Sequence, residues 1–313
     1  RATLVNSKKM MRLHMYLLSV LFTCCSCAQD NSCKLQVMSF NIWMGGGNSI
    51  EKTAEVIVES GAHIVGIQEA TRNGSNTAVA IADSLGRYSH ASNNSAAIIS
   101  KYPIVSISDS GKGVKIQTGE SQFVWMFNVH LYYCPYEPYQ LNGIEYCGGP
   151  LLSTASEAIE SAWRTRGEEV ALVVKEIKEA QTENYPIFLT GDFNEPSWLD
   201  WTENAAKANL CKMKIEWPAT KNFQLQADMK DSYRFLYPDE VENPGHTWTT
   251  LPETTKYREV PDRIDFVFYW GRNISVNRSQ IIGKSEKFSD IVIEGYPSDH
   301  RAVLSTFYIS SSS

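Results

Sequence analysis

The ten residues IFLTGDFNEP, from Ile187 to Pro196, say most about how this chain folds. They begin with an apolar, strand-forming run, which predicts a buried β-strand over residues 186–190. The run leads straight into Asp192 and Asn194, an acid and an amide two positions apart. Because alternate side chains of an extended segment point the same way, these two groups are predicted to face one ligand.

The same arrangement recurs on both sides of this stretch, where strand-like segments end near residues with metal or proton chemistry. Further strands are predicted over residues 36–41, 63–68, 96–100, 123–130, 263–269 and 302–308. The polar residues within or beside these strands are Asn41, Glu69, His130, Asp192, Asn194, Asp265, Asp299 and His300. Because the strand ends of an α/β sheet converge on one face, we expect these side chains to line a single pocket.

Taken singly, each of these residues has an ordinary structural explanation. An asparagine at a strand end is usually a turn residue, and His130 between apolar neighbours is typical of a buried core histidine. Asp265 differs, because a carboxylate within an apolar strand is costly unless it has a partner. The repeated position of such residues at strand ends is what indicates a site.

Helices are predicted over residues 49–58, 77–85 and 153–180, where apolar residues recur with the helical period. Strands and helices follow one another without a long linker, repeat or low-complexity tract, so residues 29–313 are expected to form one domain. The mixture of hairpin-like and helix-crossed strands predicts an α/β fold with two packed mixed β-sheets flanked by helices.

The composition excludes several classes of protein. The chain has 313 residues, 43% of them hydrophobic and 20% charged, which is atypical of collagen-like or disordered proteins. No run of eighteen apolar residues occurs, which argues against a multi-pass membrane protein. A formal charge of −6 gives no whole-molecule electrostatic reason to bind nucleic acid, although a nuclease can meet phosphates through metal ions.

The first 28 residues predict a leader with a signal peptide. Basic residues up to Arg12 precede the apolar stretch from Met15 to Ala28, which is too short to span a bilayer. The mature protein is expected to start near Gln29 and to be secreted or extracytoplasmic. A lipoprotein anchored through Cys24 is the alternative.

Four cysteines follow this leader: Cys33, Cys134, Cys147 and Cys211. An even number in an exported protein could form two disulfides, in any of three pairings. Cys134 and Cys147 are the preferred pair because they bracket a loop rich in tyrosine, proline and glycine. The alternative is that all four are buried thiols.

That loop, residues 131–150, contains five tyrosines and begins directly after His130. It has two interpretations. It is either a substrate-facing flap or a packing cluster of its own, and its composition suits both. On the first interpretation Tyr136 and Tyr139, together with Trp248, are predicted to contact the substrate.

In their order along the chain and in their residues, the strand-end motifs resemble those of the endonuclease/exonuclease/phosphatase superfamily of metal-dependent phosphoesterases. The resemblance is to its exported members in particular. The resemblance extends over residues 35–307. It rests on the strand ending at Asn41, Gln68-Glu69, Gly191-Asp192-Phe193-Asn194, Asp265 and Ser298-Asp299-His300. It implies a four-layered α/β sandwich, in agreement with the strand and helix pattern.

The resemblance also implies a divalent metal ion. Glu69 would be its principal ligand with Asn41 beside it, and Asp299 would help to bind or orient it. Carboxylate and amide oxygens suit Mg²⁺ or Mn²⁺ better than zinc.

The remaining residues would carry the catalysis implied by the resemblance. His300 paired with Asp265 would be the general base, and Asp192 would position the attacking water. Asn194 and His130 would donate hydrogen bonds to the phosphate.

The motifs leave the substrate open among nucleic acid, lipid and sugar phosphates. A phosphodiesterase or nuclease-like enzyme is the first hypothesis, and a sphingomyelinase-like or inositol-phosphatase-like enzyme is the second. Val260-Pro261-Asp262-Arg263 lacks the Trp and Cys of the inositol-phosphatase signature, which counts against that branch. A hypothesis of another class is a binding protein that has lost catalysis. No protein partner is expected, and the chain is expected to be a monomer.

Overall fold

The computed structural model describes residues 32–92, 95–251 and 259–310, and the predicted leader lies outside them. In this part of the chain the strands are β1 Ser32–Asn41, β2 Ile64–Gln68, β3 Thr71–Arg72, β4 Ser75–Asn76, β5 Tyr88–Ala91, β6 Ala97–Ser100, β7 Ile104–Ile107, β8 Gly113–Gly119, β9 Gln122–His130, β10 Ile187–Asp192, β11 Lys230–Asp231, β12 Asp265–Trp270, β13 Ile274–Gly283, β14 Ile291–Val292 and β15 Ala302–Ser310. The helices are α1 Trp43–Gly46, α2 Ile50–Glu59, α3 Thr77–Ser84, α4 Glu137–Leu141, α5 Ala155–Gln181, α6 Glu203–Lys207, α7 Pro218–Ala227 and α8 Ser232–Leu236. Among the described helices, none is both long and apolar enough to cross a membrane.

Two large mixed sheets form the centre of the molecule. One has the strand order β14-β13-β15-β1-β2-β6-β5, and the other has the order β11-β12-β10-β9-β8-β7. Each sheet has a parallel pair near its middle, β1 with β2 in the first and β9 with β10 in the second. The strands that flank these pairs run antiparallel to them.

Alternation along the central strands assigns their side chains to separate layers. In β1, Leu35 and Val37 pack between the two sheets, whereas Met38 and Phe40 pack against α2 and α3. In β10, Phe188 joins the core between the sheets, and its neighbours face α5 and α7. The fold is therefore the predicted four-layered α/β sandwich, with a helical layer outside each sheet.

All seven predicted strands and all three predicted helices are present, with small shifts at their ends. The main omission is β13, a ten-residue strand paired with β15. A β-bulge between Val276 and Arg278 puts two exposed residues in succession, which breaks the alternation that a strand prediction relies on.

The longest helix begins where its sequence predicts. The side chain of Thr154 accepts a hydrogen bond from the Glu157 backbone N–H at 3.3 Å, and the Glu157 carboxylate accepts from the Thr154 N–H at 3.0 Å. This reciprocal capping box fixes the start of α5.

Candidate active site

Strand register brings the polar strand ends together at one edge of the sandwich. Asp192, the last residue of β10, lies beside His130 of β9 and opposite Asp265 of β12. In the other sheet, Asn41 at the end of β1 lies beside Gln68 of β2, and Glu69 follows directly. A pocket of about 550 Å³ opens here, lined by Trp43, Met44, Glu69, His130, Tyr133, Tyr136, Tyr139, Tyr146, Asp192, Asn194, Trp248, Ile264, Asp299 and His300.

A buried polar layer joins the two sheets beneath this pocket. The Gln68 amide donates to Asn128 Oδ1 at 2.6 Å, and Thr190 Oγ1 donates to the same atom at 3.0 Å. Gly66 makes this close approach possible, because a Cβ there would lie 2.0 Å from Thr190 Oγ1. Asn128 and Thr190 were not among the predicted site residues, although a polar residue inside an otherwise apolar strand is a signal that could have indicated them.

Glu69 is held at the pocket by a tight turn after β2. Its φ of 55° lies in the left-handed region, a conformation that costs a non-glycine residue about 1–3 kcal/mol and is frequent at functional sites. One carboxylate oxygen accepts from the Met44 N–H at 2.7 Å, and the other accepts from the Asn41 side chain at 3.3 Å.

Asn41 lies behind Glu69 and does not line the pocket. Its side-chain nitrogen also donates to Asp192 Oδ2 at 2.9 Å, and its oxygen accepts from the Trp43 N–H at 3.0 Å. The amide oxygen predicted to bind a metal thus accepts one backbone hydrogen bond and keeps its second lone pair, so the role of Asn41 as a metal ligand stays a prediction. In this structure Asn41 orients two carboxylates of opposite sheets.

His300 and Asp265 form the predicted pair. His300 Nδ1 lies 2.9 Å from Asp265 Oδ2, and both residues are buried. Burial lowers the pKa of His300, but the charges of Asp265 and Asp192 outweigh it and raise the pKa to about 10. The Trp248 ring packs at a tilt against the imidazole, with centroids 4.8 Å apart, and His300 Nε2 lies 3.7 Å from Oδ2 of the pocket residue Asp192.

Asp192 is the most buried carboxylate of the pocket lining. Its Oδ1 accepts from the Asn194 N–H at 2.9 Å. Its Oδ2 lies 3.6 Å from His130 Nε2 and 3.7 Å from His300 Nε2. Burial raises the pKa of Asp192, with Asp265 adding to the effect and the two histidines opposing it.

Asp299 offers an oxygen that the protein leaves without a hydrogen bond. Its Oδ1 is buried and has no partner among the described residues. Burial raises the pKa of Asp299 to about 6, and the negative charge of Glu69 contributes while His300 opposes. Glu69 and Asp299 both line the pocket, and an unsatisfied carboxylate oxygen is the kind of atom that a divalent cation binds.

A second group of ligating atoms lies deeper in the site. Oxygen or nitrogen atoms of Asp192, Asp265 and His300 lie within 4.8 Å of one another, and the set could hold a metal ion. This set was not predicted as metal ligands. Asp192 and His300 line the pocket together with Glu69 and Asp299, and Asp265 Oδ1, like Asp299 Oδ1, has no hydrogen-bond partner among the described residues.

His130 and Asn194 face the pocket from the second sheet. Asn194 has a φ of 47° and donates one side-chain hydrogen bond to the Leu131 carbonyl oxygen at 3.0 Å. This bond ties the segments that follow β9 and β10 to each other. Both residues line the pocket and carry side-chain nitrogen atoms, the kind of group that donates to phosphate oxygens.

The tyrosine-rich loop combines the two roles that the sequence left open. Its predicted disulfide between Cys134 and Cys147 is confirmed. Cys211 is a free thiol, so the second disulfide that was considered, between Cys33 and Cys211, does not form. Tyr136 and Tyr139 line the deep end of the pocket but are only 5% and 9% exposed.

The hydroxyls of these two inner tyrosines are turned toward acids, the buried Asp262 and the partly buried Glu259. Tyr136 donates to Asp262 at 2.7 Å, and Tyr139 donates to Glu259. Burial raises the pKa of Asp262 to about 7, despite donors from Trp201 and Tyr136 that lower it. Tyr136 and Tyr139 are therefore packing residues first, and the rings nearer the surface are Tyr133 and Tyr146.

Behind the pocket, Arg166 of α5 ties the two segments that leave the second sheet. Its guanidinium donates to Glu195 at 3.0 Å, to Glu137, and to the Tyr132 and Pro135 carbonyl oxygens at 3.2 Å each. The arginine and both glutamate side chains have 0% exposure. The signal that could have revealed this arrangement is an arginine on the apolar stripe of a helix.

Comparisons with known proteins agree with this geometry. The model of the endonuclease/exonuclease/phosphatase family matches residues 38–300. Uncharacterized protein F14F9.5 of Caenorhabditis elegans is 30% identical over 306 residues, which cover 90% of this chain and 94% of the relative.

Solved structures share the fold. TDP2 of D. rerio, complexed with a single-strand DNA product, has a TM-score of 0.55 and 16% identity, and the match covers 88% of this chain and 98% of that one. The 3′ phosphatase NExo from Neisseria, bound to a product DNA hairpin, has a TM-score of 0.55 and 14% identity, with 87% and 98% covered. At these identities the likeness concerns the fold alone.

Proposed function

Because this chain belongs to the endonuclease/exonuclease/phosphatase family, whose members are phosphoesterase hydrolases, we propose that it is a metal-dependent enzyme that hydrolyses phosphate esters. The observation that carries the proposal is the meeting of Glu69, Asp192, Asp299 and His300 at one pocket, with Asp265 bonded behind the histidine. These are the groups needed to bind a cation, place a water and move a proton.

Glu69 and Asp299 would hold the cation, since they face the same space and Asp299 has an unsatisfied oxygen. Oxygen ligands favour Mg²⁺ or Mn²⁺. When bound, such an ion stabilises the negative charge that develops on the phosphoryl oxygens. Asn41 would hold the carboxylates of Glu69 and Asp192 in fixed relative positions by donating a hydrogen bond to each.

The proton transfer is assigned to His300 and Asp192. Asp265 engages Nδ1 of His300, so the other ring nitrogen, Nε2, is the atom that would exchange a proton with the water. Asp192 Oδ2 lies 3.7 Å from that atom and would orient the water for in-line attack on phosphorus. His130 and Asn194 would donate to the non-bridging oxygens.

A substrate panel tests the proposal. It comprises bis(p-nitrophenyl) phosphate, DNA, RNA, sphingomyelin and inositol phosphates, each with Mg²⁺, with Mn²⁺ and with excess chelator. DNA belongs in the panel because structures of TDP2 and NExo, which share the fold, contain product DNA. Hydrolysis of at least one ester that stops in chelator supports the proposal. Inertness toward all of them favours the binding-protein hypothesis.

Glu69→Gln is expected to weaken Mn²⁺ binding by about tenfold or more, because it removes a full negative charge from the proposed cation site. Binding is measured by titration calorimetry, which does not depend on turnover. Glu120→Gln, at an exposed turn between β8 and β9, is the control and should bind Mn²⁺ like the wild type. Equal affinity in both variants would remove Glu69 from the site.

We also propose that the protein is exported. The support is the signal-peptide pattern of residues 1–28 and the disulfide between Cys134 and Cys147, a bond typical of oxidising compartments. Protein recovered from the medium of expressing cells should have Gln29 as its first residue by N-terminal sequencing. Recovery solely inside the cells, with residues 1–28 attached, would contradict the proposal.

A further inference from the structure

The structure places two partly accessible tyrosines at the mouth of the pocket, in front of the buried pair. Tyr133 is 48% exposed and Tyr146 is half-buried, and both line the pocket. Tyr146 packs edge-on against Tyr139, with ring centroids 5.4 Å apart and an interplanar angle of 87°. Tyr133 packs against Tyr146 at 6.4 Å and 68°.

The disulfide joins the residues that follow these two tyrosines in the chain. Tyr133 immediately precedes Cys134, and Tyr146 immediately precedes Cys147, so the covalent bond joins the neighbours of both tyrosines. The Cα atoms of the two cysteines are 6.0 Å apart. The backbone positions from which the two rings project are therefore fixed relative to each other, which lowers the entropy lost when a ligand contacts them.

The rear of this aromatic wall is anchored as well. The Tyr139 hydroxyl donates to Glu259, and Trp248 Nε1 lies 3.1 Å from both the Tyr139 hydroxyl and Glu259 Oε2. The polar ends of the inner residues are thus satisfied away from the opening. What the wall offers to a ligand is aromatic ring surface.

Resting on the proposed function, we propose that Tyr133 and Tyr146 form a subsite for a planar ring of the substrate, next to the phosphate being cleaved. A ring placed against them continues the edge-to-face series Tyr136–Tyr139–Tyr146–Tyr133. An acyl chain is the less suitable occupant, because the pocket lining is mainly aromatic and polar, with Met44 and Ile264 its aliphatic members in the described chain. The substrate class is therefore an aryl or heterocyclic phosphoester.

Three diesters test this subsite. Each has hexafluoroisopropoxide as the leaving group, which contains no ring, and the other ester group is methyl, phenyl or hexyl. The variant is Tyr133→Leu/Tyr146→Leu, which keeps apolar bulk in the loop and removes the rings. Tyr88→Leu, on β5 and 50% exposed, is the matched control, because this tyrosine lies outside the pocket lining.

The double variant is expected to lower kcat/KM for the phenyl ester by about tenfold and to leave the methyl and hexyl esters within about twofold of the wild type. Tyr88→Leu should leave all three unchanged. Equal losses for phenyl and hexyl would overturn the ring preference. An equal loss for the methyl ester would make the tyrosines part of the catalytic floor.

If the proposed function is wrong, the result is different, because the wild type then hydrolyses none of the three esters. The subsite is tested in that case by calorimetric binding of phenyl phosphate and methyl phosphate in the presence of Mn²⁺. The wild type is expected to bind phenyl phosphate more tightly, and the double variant to lose that difference. Equal affinity of the wild type for both phosphates overturns the inference without reference to turnover.

Discussion

Replacing His300 with alanine is expected to lower kcat for a hydrolysed phosphodiester by about 10²- to 10⁴-fold, the usual contribution of a positioned acid or base. The expectation rests on Nε2, which faces the pocket while Asp265 engages Nδ1 at 2.9 Å. No other described side chain contacts Asp265 in this way, so the variant has no substitute for the proton transfer. The measurement is steady-state kinetics at saturating metal ion.

The His300→Ala variant needs a control that separates a loss of stability from a loss of rate. His300→Ala alone would leave the Asp265 carboxylate buried without its partner, which costs stability as well as rate. The double variant His300→Ala/Asp265→Asn removes the stranded charge. If the two residues act as one unit, the double variant should lose about as much rate as His300→Ala does, since the effects of such residues are not additive.

His90→Ala is the control for this experiment. His90 lies on β5, where its ring bonds the Gly111 carbonyl oxygen, and it lies outside the pocket lining. It should retain wild-type kcat. Additive losses of kcat from His300→Ala and Asp265→Asn would show that the two residues act independently. A lower melting temperature with unchanged kcat would assign the pair a structural role.

Arg166→Met is expected to lower the free energy of unfolding by about 3–5 kcal/mol, the typical cost of removing one partner from a buried ion pair. Glu137 and Glu195 have 0% side-chain exposure, so neither carboxylate can recover the lost interaction from water. Two backbone carbonyl groups of the tyrosine-rich loop would lose their donor as well. Urea denaturation with the disulfide intact measures the change.

The same helix provides the matched control. Arg164 is 71% exposed, and its nearest oxygen on Glu160 lies at 3.8 Å. Exposed pairs of this kind contribute about 0–1 kcal/mol, so Arg164→Met should hardly change the urea midpoint. The triple variant Arg166→Met/Glu137→Gln/Glu195→Gln should regain part of the stability lost in Arg166→Met. Equal effects of Arg164→Met and Arg166→Met would show that the buried network contributes no special stability.

The fold class could be predicted from the sequence because its signals are local. A short apolar run indicates a strand such as β10. The helical period of its apolar residues and its capping box indicate α5. The longest strand that was not predicted, β13, contains a bulge that only its partner strand makes visible. The preferred disulfide was also a local inference, since its two cysteines are 13 positions apart.

The partners within the site could not be predicted from composition or spacing alone. His300 and Asp265 are 35 positions apart, and Asn41 bonds Asp192 across 151 positions and two sheets. The family resemblance implied that Asn41 lies beside a metal ion. Its hydrogen bonds to Glu69, Asp192 and the Trp43 N–H became visible only in the tertiary structure. The acids that engage the hydroxyls of Tyr136 and Tyr139 are likewise 126 and 120 positions away in the chain.

The sequence by itself determined which chemical groups lie at the strand ends. The reason is that the apolar periods of strands and helices are properties of neighbouring residues. The tertiary structure alone decided which of these groups bond to each other, which tyrosines remain accessible, and that Arg166 holds the two loops together. The physical reason is that these contacts depend on strand register and on side-chain direction across the sandwich. Both are set by the packing of segments far apart in the chain.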